Sequence, residues 1–344
     1  MSVQAASADR TALHAFLAAH QRFLLTTHVN PDGDAIGSEI AFARMLRAMG
    51  KDVRILNDSP TPHAFAWLAA HGPVEVYDET LAEACFAEAD ALVVLDTSNR
   101  QRIGRLAPHI GRHVISVAIV DHHATHDGFG QVNVVEPDCA AAAVLVFELM
   151  REAGIAIDPI AAEALYVGLS TDTGDFRYSN TDARALHMAA ALVECGVHVS
   201  RVVQRVEQSA PAGRLRMHGE ALAALELRSG GQLVVLEVGP EQFVRHGLVG
   251  ADTEGLVDRP RSIEGVEAVA LFSEVEAGKV KVSLRSTGRV AVDGVCSRHG
   301  GGGHVHAAGV QMRGTREQAR ERILPHLEQL LAELPPRPTE GAHA

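Results

Sequence analysis

The sequence lacks any long apolar run. A membrane-spanning helix needs about 20 consecutive apolar residues, whereas the longest run here has about nine, at residues 139–147. The first ten residues contain no apolar stretch of the kind found in secretory signal peptides. Cysteine is scarce as well: the four cysteines are far apart and form no Cys-x-x-Cys pair, which predicts reduced thiols. They are Cys85, Cys139, Cys195 and Cys296. These absences predict a cytoplasmic protein without a membrane partner.

The sequence also lacks a basic excess. Forty-three acidic residues against 31 basic residues give a net charge of −12. A protein that coats long duplex DNA needs a basic face that displaces counterions, so the composition argues against that class and leaves room for a small anionic substrate. Residues 1–200 hold 25 acidic and 13 basic side chains, whereas residues 201–334 hold 17 of each. The acidic half could house metal ions or could simply present a solvated acidic surface.

Length and composition predict two globular domains. The 344 residues exceed what one hydrophobic core of ordinary size supports. The contents of 47% hydrophobic and 22% charged residues are those of a folded protein. We predict a first domain over residues 1–195, a linker over 196–215, a second domain over 216–334 and a disordered tail over 335–344.

The first half alternates strand-like and helix-like segments, which predicts an α/β fold with a parallel sheet. The predicted strands are residues 23–27, 53–56, 91–95 and 114–120, and the predicted helices are residues 36–49, 140–153, 161–170 and 183–195. In the second half we predict strands at residues 233–238, 268–272 and 279–284 and a closing helix at residues 315–334.

Three of the four predicted strands in the first half run directly into polar side chains. His28 follows the first strand, Asp96 the third and Asp121 the fourth. Ligands of parallel sheets bind beyond the carboxyl ends of the strands. This coincidence is the first indication of a functional site.

Four clusters carry the side chains that could bind metal ions. They are His28 with Asp32 and Asp34, the isolated Asp96, the triplet Asp121-His122-His123, and Asp172. Carboxylates with a few imidazoles and no cysteine suit Mn²⁺ or Mg²⁺ better than structural zinc. Four carboxylates balance two divalent cations, and two such ions can clamp both the attacking and the leaving oxygen of a phosphoryl group. Each cluster alone has an ordinary explanation as a turn, a helix cap or a surface pair, but their joint occurrence after strands of one sheet favours a metal site.

The second half contains a glycine-rich segment, HGGGGHVHAAG, at residues 299–309. Consecutive glycines let the backbone approach a ligand and direct N–H groups at it, as in phosphate-binding loops. Arg285 and His304 would add charged donors. A flexible connecting loop is the alternative interpretation. The segment matches neither a dinucleotide-binding fingerprint nor a Walker loop.

In combination, these motifs resemble those of the DHH phosphoesterase superfamily. The first is His-x-x-Pro-Asp-Gly-Asp-x-x-Gly-Ser from His28, followed by an isolated Asp, Asp-His-His and Asp-Thr-Gly. The glycine-rich segment is similar to the motif of the associated C-terminal domain, and residues 170–181 and 253–265 resemble the bacterial nanoRNases. The resemblance implies an N-terminal parallel-sheet DHH domain that binds metal, a smaller C-terminal α/β DHH-associated domain that binds substrate, and an active site in the cleft between them.

The resemblance also implies a role for each matching residue. One metal ion would be held by His28, Asp32 and Asp96. The other would be held by Asp34, Asp96, His122 and Asp172, with Asp96 bridging the two ions. His123 would contact the scissile phosphate and Asp121 would orient His122, so that Asp96, His122, His123 and Asp121 form the catalytic set. The substrate would be held by Arg285, Ser286, Gly301, Gly302, Gly303 and His304.

The activity implied by the resemblance is a two-metal phosphoric ester hydrolase, with Mn²⁺ favoured and Mg²⁺ as the alternative. Its substrates would be very short RNA oligonucleotides, including dinucleotides, which it degrades to mononucleotides, and 3′-phosphoadenosine 5′-phosphate (pAp). Other hydrolases of the superfamily remain as alternatives, such as a single-strand exonuclease or a cyclic or linear dinucleotide phosphodiesterase. A non-catalytic nucleotide sensor is a more distant alternative. The sequence leaves a homodimer open.

Overall fold

The computed structural model describes residues 3–207, 210–249, 253 and 255–335, without the side chains of residues 3–8, 207 and 275. The chain divides into two compact units, residues 1–209 and 210–344. The division falls inside the predicted linker over 196–215, but that segment contains a helix, Val199–Glu207, and the beginning of another, Ala212–Ala223. The predicted disordered tail lies, apart from Pro335, outside the described residues. The exact limits of the two domains stay a prediction.

The first unit is built on a six-stranded sheet in which every neighbouring pair of strands is parallel. Its strands are β1 (Arg22–Thr26), β2 (Asp52–Asn57), β3 (Val74–Val76), β4 (Ala91–Leu95), β5 (Ser116–Asp121) and β6 (Val132–Val135). They lie in the order β3-β2-β1-β4-β5-β6. Strands β2 and β3 therefore lie on one side of β1, and β4, β5 and β6 lie on the other. The prediction of an α/β fold with a parallel sheet is therefore confirmed.

Helices surround this sheet. They are α1 (Val3–Ala19), α2 (Gly33–Ala48), α3 (Ala66–Ala69), α4 (Glu79–Glu88), α5 (His109–Arg112), α6 (Ala142–Glu152), α7 (Pro159–Asp172), α8 (Ala183–Glu194) and α9 (Val199–Glu207). Short 3₁₀ helices lie at His63–Phe65 and Arg100–Leu106. The strands alternate their side chains between two buried apolar layers: Phe23 and Leu25 belong to one layer and Leu24 to the other. Both faces are covered, as expected for a parallel sheet.

The second unit has a mixed six-stranded sheet in the order β11-β12-β10-β9-β8-β7. Its strands are β7 (Glu226–Arg228), β8 (Leu233–Val238), β9 (Ala268–Glu276), β10 (Lys279–Ser286), β11 (Gly302–His304) and β12 (Ala307–Arg313). Among these described strands, only β8 and β9 pair in parallel. The helices are α10 (Ala212–Ala223), α11 (Pro240–His246), α12 (Asp293–Ser297) and α13 (Arg316–Ala332), with a 3₁₀ turn at Ser229–Gly231 and another at Arg259–Ser262. Apolar layers on both faces make this unit a second α/β domain.

Several boundaries differ from the predicted ones, and in one case a capping side chain decides the difference. The helix predicted at 36–49 begins at Gly33, because the Asp32 carboxylate caps the first turn. The strand predicted at 114–120 runs from Ser116 to Asp121. Short strands such as β3 and β6 escaped prediction, since they have too few residues for a periodic signal.

Among the described residues, no single helix has the length and apolar character to cross a membrane, and only a strongly bent pair, Ala183–Glu194 with Val199–Val206, meets those criteria jointly. All four cysteines are free thiols.

Candidate active site

The order of the strands brings the predicted site residues to one edge of the first sheet. β1 and β4 are neighbours at the point where the strand order reverses, and ligands bind in the crevice at such a switch point. His28 lies two residues beyond the end of β1, and Asp96 directly follows β4. Asp121 is the last residue of β5, the next strand along.

Helix α2 supplies two aspartates from its first turn. Asp32 is the N-cap, and its carboxylate accepts hydrogen bonds from the Asp34 and Ala35 amides, both at 3.1 Å. Asp34 is fully buried. Its two oxygens accept hydrogen bonds from the amides of Ala142 and Ala143, at 2.6 and 2.9 Å, in the first turn of α6. Amides at a helix N-terminus stabilise a carboxylate, and here they fix its orientation.

Close packing of α2 on α7 brings Asp34 near Asp172. A Cβ at Gly37 would lie 2.3 Å from the Ala164 carbonyl oxygen, and one at Gly168 would lie 2.7 Å from Asp34 Oδ1. Glycine at both positions allows the backbones of the two helices to approach closely. Asp172 is the last residue of α7, so this contact carries its carboxylate to the site.

The first group of side chains that could hold a metal ion is His28, Asp32 and Asp96, whose candidate ligand atoms lie within 4.8 Å of one another. The Nδ1–H of His28 donates to the Val29 carbonyl oxygen at 2.9 Å. Because a carbonyl can only accept, the proton of a neutral ring sits on Nδ1 and the lone pair on Nε2. That Nε2 lies 3.4 Å from Asp96 Oδ2 and 3.8 Å from Asp32 Oδ2. A metal-binding imidazole is typically anchored in this way.

The second group is Asp34, Asp96 and His122, which satisfy the same 4.8 Å criterion. His122 Nδ1–H donates to the Cys139 carbonyl oxygen at 3.0 Å. Its Nε2 lies 3.1 Å from Asp172 Oδ2, 3.4 Å from Asp96 Oδ1 and 3.7 Å from Asp34 Oδ2. One imidazole nitrogen therefore faces three carboxylates.

Asp96 belongs to both groups. Its Oδ2 faces His28 and its Oδ1 faces His122. Oδ1 is buried and makes no hydrogen bond to any described residue, which is costly unless a cation is bound there. The backbone of Asp96 has a φ of +56°, a left-handed conformation uncommon outside glycine and a form of strain that clusters at functional sites. The donor set therefore fits metal ions on either side of Asp96.

The charges of this site are not balanced by the protein alone. Burial raises the pKa of Asp34 well above its usual range, and the charges of Asp96 and Asp172 raise it further. Burial also opposes ionisation of Asp96, but the imidazoles of His122 and His28 hold its pKa well below the usual range. The pKa of His122 is in turn raised, despite burial, by Asp172 and Asp96. Divalent cations would relieve this mutual repulsion of carboxylates.

The structure corrects the partner assigned to Asp121. We predicted that Asp121 orients His122, but Asp121 Oδ1 accepts from His123 Nδ1 at 2.8 Å, and His122 is held by a backbone carbonyl. Side chains two residues apart along an extended chain point to the same side, so Asp121 and His123 meet while His122 points away. The contact with His123 keeps the pKa of the Asp121 carboxyl low, although burial opposes this.

Arg102 is a site residue that the sequence analysis missed. It lies in the 3₁₀ helix Arg100–Leu106, and its Nη1 lies 3.2 Å from His123 Nε2. Its carbonyl oxygen accepts from the Val29 amide at 2.7 Å, which ties this helix to the segment after His28. Arg102 follows the isolated Asp96 by six residues, but nothing in its local sequence distinguishes it from a surface arginine.

A second missed feature is a buried hydrogen-bond chain behind His28. The Thr27 amide donates to Asn57 Oδ1 at 3.3 Å, and Asn57 Nδ2 donates to Glu39 Oε2 at 2.8 Å. Burial raises the pKa of Glu39 to about 8. The chain links the ends of β1 and β2 to α2. In the sequence, the only indication of this hydrogen-bond chain is Glu39, which lies on the otherwise apolar face of the helix predicted at residues 36–49.

The predicted substrate-binding residues lie in the second unit. The guanidinium of Arg285 lies beside Asp258, with Arg285 Nε 3.5 Å from Asp258 Oδ1. Arg285 Nη1 donates a hydrogen bond to the Leu284 carbonyl oxygen. Ser286 is buried, and its hydroxyl accepts from the amides of Gly288 and Val290 at 3.0 and 3.2 Å. Its burial disfavours a direct substrate contact, and its role stays a prediction.

The glycine-rich segment is not simply a loop. Gly302–His304 forms strand β11, paired antiparallel with β12. A Cβ at Gly301 would lie 2.3 Å from the Gly309 oxygen, and one at Gly303 would lie 2.4 Å from the Ala307 oxygen. These two glycines are therefore required by the hairpin itself. His304 is exposed at the end of β11, and its contact with a nucleotide stays a prediction.

The parallel sheet with this acidic and imidazole site is characteristic of DHH domains. The DHH family N-terminal domain matches residues 22–169, and the DHHA1 domain matches residues 230–333. The order of the two domains agrees with the resemblance stated from the sequence motifs.

Comparison with known proteins shows which DHH proteins this chain is similar to. The chain is 34% identical over 302 residues to the bifunctional oligoribonuclease and PAP phosphatase NrnA of Thermus thermophilus, covering 87% of each chain. It is 26% identical to the Bacillus subtilis protein of the same name, over 94% of this chain and 99% of that one. A crystal structure of an exopolyphosphatase-related protein from Bacteroides fragilis matches with a TM-score of 0.88 and 25% identity, covering 95% and 98% of the two chains. The chain therefore belongs to the DHH family, in its NrnA-type branch, as predicted.

Proposed function

We propose that this protein is a two-metal phosphodiesterase that degrades very short RNA oligonucleotides to mononucleotides and also dephosphorylates pAp. The geometry of Asp96 carries the proposal. One of its carboxylate oxygens faces Nε2 of His28 and the other faces Nε2 of His122. Each of these nitrogens also faces at least one further carboxylate, so each can share a metal ion with Asp96. The similarity to proteins named bifunctional oligoribonuclease and PAP phosphatase supports the substrate class. No observation specifically favours a single-strand exonuclease, a cyclic or linear dinucleotide phosphodiesterase or a nucleotide sensor.

We propose that His28 and Asp32 hold one ion, that Asp34, His122 and Asp172 hold the other, and that Asp96 is shared. Carboxylate oxygens with a single imidazole per ion suit Mn²⁺, with Mg²⁺ as the alternative. Two such ions supply an activated nucleophile and neutralise the charge of the phosphoryl group.

His123 and Arg102 are suited to contact the phosphate. Asp121 fixes the orientation of His123 from one side of its ring, and the guanidinium of Arg102 lies at the other ring nitrogen. A phosphate oxygen beside this pair can accept from the Arg102 guanidinium, which keeps its charge at every physiological pH, and also from His123 when a second proton occupies Nε2. Charge spread over the equatorial oxygens during phosphoryl transfer would be stabilised there.

For the substrate, we propose that Arg285 and His304 bind the nucleotide or its terminal phosphate, with the backbone of Gly301, Gly302 and Gly303 nearby. Length selection would follow from capture of the end of a short ligand. Location in the cytoplasm and a homodimer stay predictions.

The test compares the wild-type chain with Asp96→Asn on a 5′-labelled dinucleotide and on pAp, with Mn²⁺ and with chelator. We expect the variant to lose at least about three orders of magnitude in turnover, since both ions depend on Asp96. Asp52→Asn, an exposed aspartate at the start of β2, is the matched control. The rates of hydrolysis of oligonucleotides of two to about twenty nucleotides then give the length preference. Near-normal hydrolysis by Asp96→Asn would refute the two-metal proposal, and binding without product by the wild type would favour the sensor.

A further inference from the structure

A second cluster of metal-binding side chains lies elsewhere in the first unit. Glu83 on α4, His109 at the start of α5 and His113 just after α5 offer ligand atoms that lie within 4.8 Å of one another. None of these residues belongs to the site described above. They lie beside the apolar layer that contains Phe86.

The local structure orients the two imidazoles. His109 and His113 are four residues apart, a spacing that places two side chains on the same side of a helical turn and that recurs in zinc sites. The His109 ring is buried and stacks on Phe86, with centroids 5.1 Å apart and planes at 23°. The Glu83 side chain is 44% exposed, so an ion could reach the cluster from solvent.

Of the two distances to Glu83, the one from His109 matches the separation of neighbouring ligands around a tetrahedral ion. Bonds of 2.0–2.1 Å separate neighbouring tetrahedral ligands by about 3.3–3.4 Å. His109 Nδ1 lies 3.3 Å from Glu83 Oε1, and His113 Nε2 lies 3.0 Å from Glu83 Oε2. His109 Nδ1 is buried yet makes no hydrogen bond to any described residue, Glu83 included. An ordinary hydrogen bond between Glu83 and His113 leaves this buried nitrogen unexplained, whereas a shared cation would satisfy it.

We propose that Glu83, His109 and His113 form a second metal site that binds Zn²⁺, with water completing the coordination. Two imidazoles and one carboxylate favour Zn²⁺ over Mg²⁺ or Mn²⁺, which distinguishes this cluster from the carboxylate-rich active site. Arg112 does not prevent binding: its Nη1 lies 3.4 Å from both Glu79 Oε1 and Glu83 Oε1, so it can keep Glu79 and release Glu83. A bound ion would fasten α4 to the segment around α5.

The test measures the Zn²⁺ content of the full chain. Chelator-treated protein is dialysed against Zn²⁺, and the metal per chain is determined by mass spectrometry for the wild type, His113→Asn and Glu83→Gln. We expect each variant to hold one Zn²⁺ fewer than the wild type, because any Zn²⁺ in the active site is common to all three. His71→Asn, an exposed histidine of the same unit, should hold as much as the wild type.

A second readout protects the test from misfolding of one variant. Zn²⁺ that binds only the folded state raises the melting temperature, and this rise should be smaller in both variants than in the wild type and in His71→Asn. His109 is left unchanged because its buried ring packs against Phe86. Wild-type Zn²⁺ content in His113→Asn and Glu83→Gln, with an unchanged melting shift, would overturn the proposal.

Discussion

Replacing Glu39 by glutamine should change how the stability of the first unit depends on pH. Glu39 is completely buried on α2, and one of its oxygens accepts a hydrogen bond from Asn57 Nδ2 at 2.8 Å. The other oxygen, Oε1, makes no hydrogen bond to any described residue. Burial raises the pKa of this carboxyl from 4.5 to about 8. Glutamine has the same shape and can keep the bond from Asn57, but it carries no charge at any pH.

The sign of the effect follows from the direction of this shift. Below pH 4.5 the carboxyl is protonated in both the folded and the unfolded chain. Between pH 4.5 and about 8 the unfolded chain releases the proton while the folded chain retains it, so the free energy of unfolding falls as the pH rises. At about 1.4 kcal/mol per pK unit, the loss by pH 8 is on the order of 4 kcal/mol. Glu39→Gln removes this loss. Its free energy of unfolding relative to that of the wild type should therefore rise by about 4 kcal/mol between pH 4.5 and pH 8.

The sequence offers a specific probe for the measurement. Trp67, in α3, is the only tryptophan, so its fluorescence reports urea unfolding of the first unit alone. Unfolding of chelator-treated wild type, Glu39→Gln and the control Glu194→Gln, an exposed glutamate at the end of α8, is followed from pH 4.5 to 8.5. Other titrating groups contribute equally to all three proteins. If the free energies of unfolding of the wild type and of Glu39→Gln differ by the same amount at every pH in this range, the reasoning is refuted.

Three further substitutions and one control test the packing and the phosphate contacts. Gly37→Ala should destabilise the first unit by about 1–3 kcal/mol in urea unfolding and lower metal content, because α2 and α7 must separate. The control Gly219→Ala replaces a helical glycine of the second unit that has open space around it, so it should leave the unfolding of the first unit unchanged. Arg102→Gln should lower kcat about 10–100-fold with unchanged metal content; an unchanged kcat would exclude a phosphate contact. Arg285→Ala should mainly raise KM for the dinucleotide, and a loss confined to kcat would contradict a binding role.

The arrangement of the active site explains why a strongly acidic chain can act on an anionic substrate. Four aspartates converge at one edge of the parallel sheet, where phosphate would be repelled without metal ions. With two divalent cations the site becomes attractive to phosphate, and Arg102 adds a permanent positive charge beside His123. Net charge therefore says little about the substrate once the local site is known.

Much of the site could be predicted from the sequence because its signals are local. His28, Asp96 and Asp121 each follow or end a short apolar strand, and parallel strands present their carboxyl ends at one edge. The motif that begins at His28 also includes Asp32, which caps helix α2 and is the proposed third ligand of the first group. The α/β class needed only the alternation of strand and helix patterns.

Contacts between distant elements could not be predicted in the same way. The pairing of Asp121 with His123, the approach of Arg102 to the same ring and the chain from Glu39 to Asn57 each depend on side-chain direction or on which elements pack together. The glycines at 301 and 303 suggested a phosphate-binding loop, with a flexible loop as the alternative, and only the structure shows that the paired hairpin requires them.

The sequence by itself determined the fold class, the residue types of the metal site and the strands that carry them, because hydrophobic periodicity and motif spacing act over a few residues. Only the tertiary structure decided that β1 and β4 are neighbours at the switch point, that Asp96 faces two histidines, and that Glu83 meets His109 and His113. Those outcomes depend on strand order and helix packing, which bring together residues far apart in the chain.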